Sequence, residues 1–175
     1  MHLHLDPVAG IAGDMWLGLL VELGLSAERL AELPSRLGLD RVEVTTERVR
    51  RGTLAATKVH VTVDGREEGP SPDAFGAPSG PPEEGEPGSS HGGRHRHLAD
   101  MRALIAQAGL PARAERMARA AMEALFAAEA AVHGQPIEAV HLHEAGADDA
   151  VVDVVGTCLG LVELGVDSVS CSLPI

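Results

Sequence analysis

Nine histidines stand in this 175-residue chain, and four of them occupy two identical tripeptides, His2-Leu3-His4 and His141-Leu142-His143. In an extended strand, residues i and i+2 project from one face with Cα atoms roughly 6.5–7 Å apart, so two imidazoles held that way can reach one metal ion. The competing reading is plain alternation across a half-buried strand, leucine inward and histidine outward. It applies most strongly to His2 and His4, which sit beside a chain terminus.

The second tripeptide opens the richest cluster of donors: His141, His143, Glu144, Asp148, Asp149 and Asp153. A turn after a strand ending at His143 brings Glu144, Asp148 and Asp149 back to that strand's carboxyl end, and Asp149 and Asp153, four apart, share a helix face. Imidazole with carboxylate suits divalent nickel, zinc, cobalt or iron better than calcium, which prefers oxygen alone. Asp148 and Asp149 also read as acids that balance the dipole of a helix start. A third group, His91, His95 and His97 in "HGGRHRH", ends a tether whose ligands can move to suit an ion, or is simply the polar end of a linker. In "DPVAGIAGD", Asp6 leads through Gly10 and Gly13 to Asp14. A strand turning through glycines into a helix start offers free N–H groups to an anion such as a phosphate. It matches neither common nucleotide-binding glycine pattern, and Asp14 would repel a bare phosphate, so Asp14 is either a cap or the holder of a cation beside the anion. No nucleophile elbow is present, and neither cysteine carries a nucleophile's local signature.

The elements that must position these groups read as α/β. Residues 2–6 form a first strand, and an apolar helix of about ten residues follows the glycines, ending at Gly24. Ser26 caps a second helix that ends or bends near Pro34. Residues 41–51 and 53–63, with Val59, Val61 and Val63 two apart, form a hairpin about Gly52. A helix follows His97, and Pro111 opens another in which Met117, Ala121 and Leu125 with Met122 and Phe126 make a core stripe. Ile137–His143 reads as a strand, Ala147–Leu164 as a buried helix and the segment from Val166 as a last strand. The whole, residues 1–175, is one domain with a mixed sheet packed by helices. Residues 64–96 hold six of the eleven prolines, eight of the twenty glycines and seven acidic residues. That composition predicts a long, disordered, His-ending insertion.

Composition narrows the function. The chain is 45% apolar with two Phe, one Trp and no Tyr, so its core is built from Ala, Val and Leu. A net charge of −12 argues against nucleic acid as a partner and for the attraction of cations. Two cysteines without a CxxC pair, and no secretory segment, point to a reduced cytoplasmic setting in which both thiols are buried. The apolar stretches 15–25 and 150–166 are interrupted by acids and too short for a bilayer of ~30 Å, so no membrane is involved.

Three motifs, "LDPVAGIAGDM", the His-rich tract running into "RHLADMRALI", and "VHLHEAGADDAVVDVVG", together resemble the LarC family of nickel-insertion proteins. They occur in the family's order and frame nearly the whole chain. The resemblance implies a lyase-class cyclometallase that inserts nickel into the pincer cofactor precursor pyridinium-3,5-bisthiocarboxylic acid mononucleotide, consuming CTP with a divalent cation. It implies Asp6, Gly10, Gly13 and Asp14 at the substrate and His141, His143, Glu144 and Asp149 with His91, His95 and His97 at the metal; because the ring must lose a proton to form the Ni–C bond, a positioned base is needed, and His143 or Glu144 is the choice. Gly146 and Asp153 also match the third motif. Ala9 and Ala12 stand where the family commonly has serines, and the histidine run is thinner than in many relatives. Family members continue past "SLPI" into a separate nucleotide-binding part. The chain therefore reads as an amino-terminal half that has no autonomous CTP site, works with that carboxyl-terminal part, and leaves homo-oligomer formation open. The rival expectation is a nickel metallochaperone or storage protein that catalyses nothing.

Overall fold

Alternating His2–Leu5 forms β1 in the computed structural model, which describes residues 1–7, 10–67, 96–142 and 148–172. The glycine turn leads into α1 (Gly13–Glu22), whose N-cap Ala12 is extended and offers no side chain to the helix, and which ends before Gly24 at φ +112°. Ser26 accepts the Arg29 N–H at 3.3 Å and starts α2 (Ala27–Ala31). After Glu32 the chain re-enters a helix as α3 (Leu33–Arg36), with Pro34 in its first turn, where a missing N–H costs nothing. The hairpin consists of β2 (Val42–Arg51) and β3 (Leu54–Val63), paired antiparallel from Val42 with Val63 to Arg51 with Leu54. Gly52, at φ +63°, supplies the left-handed conformation that a two-residue hairpin turn requires.

A short β4 (Arg66–Glu67) pairs with the end of β3. Then come β5 (Arg96–His97), α4 (Leu98–Gln107), α5 (Ala112–His133), β6 (His141–Leu142), α6 (Asp148–Glu163) and β7 (Ser168–Cys171). The protein is thus mixed α/β, with its strands in three small sheets: β1 parallel to β7, β2–β3–β4 antiparallel, and β5 antiparallel to β6. Both ends of the 64–96 stretch belong to elements, β4 and β5, and the expected disordered insertion otherwise lies outside the described residues. Among the described residues no helix is long and apolar enough to cross a membrane.

Small residues let the core close around α1. A Cβ on Gly18 would lie 2.5 Å from the Thr57 carbonyl oxygen of β3, and one on Gly156 of α6 would lie 2.9 Å from Leu17. Leu17, Leu20, Leu30, Leu33, Val151, Val155 and Leu159 fill the space between, all fully buried. On α5 the buried row is Ala114, Ala118, Met122 and Phe126, while Met117 and Leu125 lie at its margin and Ala121 is exposed. The stripe is therefore centred one row away from the expected one. Cys158 is buried, which pushes its thiol up to about 11, but Cys171 is exposed on the narrow β1–β7 sheet, contrary to the expectation of burial. The strand expected over 137–143 shrinks because Pro136 begins a turn, closed by the Ala139 N–H on the Pro136 carbonyl at 2.9 Å.

Candidate metal centre

Two histidines that the sequence placed in different motifs are cross-strand partners. His97 of β5 pairs with His141 of β6, and their rings meet edge to face with centroids 5.9 Å apart. The His97 Nδ1–H donates to the Val140 carbonyl at 3.0 Å. A carbonyl only accepts, so this bond fixes the tautomer and leaves the Nε2 lone pair for a ligand, the outer partnership that metal-bound histidines commonly have. His97 also ends the strand as the N-cap of α4, its backbone N–H donating to Asp100 Oδ2 at 2.9 Å. Val140 and Leu142 point into the core while His141 is exposed, so these three residues alternate across the short strand.

Next to His97, the buried Arg96 forms an ion pair with Asp148, the first residue of α6. This contact fastens the β5–β6 pair to the start of α6. From the other side comes the start of α1: Gly13 lies so close to Asp153 that a Cβ on it would sit 2.1 Å from Asp153 Oδ2. Gly13 is thus needed for approach rather than for an unusual backbone angle. Asp153 is pushed up to about 7 by burial first, then by the charges of Asp149 and Asp14. Its Oδ1 is buried without a hydrogen-bond partner among the described residues. Three carboxylates on α1 and α6 therefore repel one another where a divalent cation would relieve them. Asp14 is not the cap of α1, because Ala12 holds that position; its Oδ1 accepts the Met15 N–H at 2.8 Å.

The start of α6 touches the other two motifs through two contacts, Arg96 of β5 on Asp148 and Gly13 of α1 against Asp153, while His97 and His141 meet on the exposed face of the β5–β6 pair. Asp6 is exposed just after β1, and Gly10, at φ +88°, turns the chain, its N–H on the Pro7 carbonyl at 3.4 Å. His143, Glu144, Gly146, His91 and His95 lie outside the described residues. Among the described residues no group of three or more His, Cys, Asp or Glu side chains is arranged to hold a metal ion. His97 and His141 are the two imidazoles that the described residues bring together, and by themselves they do not make a metal centre. Sequence reasoning missed Arg96; its signal was an arginine between two histidines, directly before a helix, in a chain with an acidic helix start to receive it.

The family described as nickel insertion protein matches residues 3–174. Relatives whose names carry the same nickel-insertion designation include proteins of Synechocystis, 43% identical, of Acaryochloris marina, 42% identical, and of Gloeobacter violaceus, 40% identical. The matches cover 94%, 97% and 98% of this chain but 35%, 37% and 36% of those relatives, so the chain spans little more than a third of their length. No solved structure matches it.

Proposed function

The chain belongs to the nickel insertion protein family, and on that premise we propose that it supplies the nickel- and substrate-binding half of a lyase-class cyclometallase. The substrate is pyridinium-3,5-bisthiocarboxylic acid mononucleotide, and the CTP-dependent step belongs to a carboxyl-terminal nucleotide-binding part. The observation that carries this reading is the meeting of His97 with His141 on the β5–β6 pair, which Arg96 ties to the acidic start of α6. Imidazole nitrogens hold Ni²⁺ well yet release it to softer sulfur donors, so nickel passes from protein to pincer. Forming the Ni–C bond requires the ring C–H proton to leave, and His143 or Glu144, the residues that follow His141 and Leu142, are the assigned acceptors. Asp14, with Asp6 near the glycine turn, positions the substrate's phosphate through a cation, because its own charge would repel a bare phosphate.

Reconstitution tests the assignment. With the carboxyl-terminal part, CTP, Ni²⁺ and the pincer mononucleotide, His97→Ala and His141→Ala are each expected to lower nickel incorporation at least tenfold while the circular dichroism spectrum is retained. Unchanged incorporation in both variants would contradict it. Deleting residues 68–95 is expected to leave most of the activity; loss of most bound nickel on that deletion, with no activity in any variant, would favour storage instead.

A further inference from the structure

The parallel pair β1–β7 carries an unbroken row of imidazoles and hydroxyls. His2 Nδ1 lies 2.8 Å from Ser168 Oγ, and His2 Nε2 lies 3.0 Å from Ser170 Oγ. His4 Nδ1 lies 2.8 Å from the same Ser170 Oγ, and His4 Nε2 lies 3.3 Å from Ser172 Oγ. Both histidines are exposed, whereas Leu5 beneath them is buried. One nitrogen from each ring therefore converges on a single hydroxyl oxygen at an accessible surface. We propose that this row is a second transition-metal site, in which His2 Nε2 and His4 Nδ1 chelate one divalent ion of the nickel, copper or zinc class beside Ser170 Oγ.

The proton arrangement favours this. A hydroxyl has one hydrogen, so in the metal-free row Ser170 donates to one facing nitrogen and must accept an N–H from the other. A change of tautomer in one ring places both ring protons on the outer nitrogens, His2 Nδ1 and His4 Nε2. There Ser168 and Ser172 accept them, and both facing nitrogens present lone pairs to the ion. No proton is gained or lost, and each ligating imidazole keeps an outer hydrogen-bond partner that fixes its orientation. Two nitrogens and a hydroxyl are poor donors for calcium or magnesium, and water completes the coordination at the open face. The site shares no residue with the His97–His141 pair and stands whether or not that pair performs insertion.

Residue-specific NMR of the full chain titrated with Ni²⁺ tests it, because paramagnetic broadening reports each site separately from the His-rich tract. Saturable broadening of His2, His4 and Ser168–Ser172 is expected, lost in His4→Asn and weakened at least tenfold in apparent affinity in Ser168→Ala/Ser172→Ala, with both variants folded by circular dichroism. Absence of broadening at those residues in the parent chain, or its survival in His4→Asn, would overturn the proposal.

Discussion

Asp153, buried and facing Asp149 and Asp14, holds its proton to about pH 7 in the folded chain, whereas an unfolded aspartate releases it near 3.8. Between those values the folded state binds more protons than the unfolded one, so this residue's contribution makes stability fall as pH rises from about 4 to about 7, after which the penalty is constant. Asp153→Asn removes the buried charge and keeps the shape. Thermal melts should show the variant more stable above pH 7, by about 1–2 kcal/mol once solvent screening is allowed for, with the difference vanishing toward pH 4. A difference independent of pH would mean that neither burial nor the charges of Asp149 and Asp14 raise this carboxyl. Single residues were partly legible in the sequence. The nearness of Asp149 to Asp153 and the alternation of His2-Leu3-His4 could be read from spacing. The role of Gly13 could not, because what it admits is a side chain 140 positions away.

Elements were legible where a local period or a turn residue specified them. The valine alternation and Gly52 marked the hairpin, and Ser26 and Pro34 marked α2 and its break. The pairing of β5 with β6 was not legible: two residues on each side carry no periodicity, and they join segments separated by all of α4 and α5. Close approach among elements was equally hidden, since glycines inside helices read as weaknesses until their neighbours are known. Gly18 and Gly160 separate the two kinds of approach. A Cβ on Gly18 meets a backbone carbonyl at 2.5 Å that cannot move without parting α1 from the hairpin, whereas one on Gly160 meets the ends of Leu20 and Leu25 at 2.8 Å, which can rotate. Gly18→Ala should therefore be destabilising by about 1–3 kcal/mol. Gly160→Ala should lie close to neutral, its crowding offset by roughly 1 kcal/mol of helix propensity. Denaturant midpoints in the reverse order would contradict this packing.

At the scale of the molecule, the net charge of −12 attracts cations, and contacts from α1 and β5 meet the acidic start of α6, which is the setting of the proposed nickel transfer. α1 and α6 bring the carboxylates of Asp14, Asp149 and Asp153 together, the Arg96–Asp148 pair ties the β5–β6 strands to the start of α6, and the core of leucine and valine holds both helices in place. Anomalous diffraction at the nickel absorption edge from crystals of the Ni²⁺-loaded chain tests this most directly. A nickel peak within bonding distance of the imidazoles of both His97 and His141 is expected. Nickel peaks that touch neither ring would contradict it.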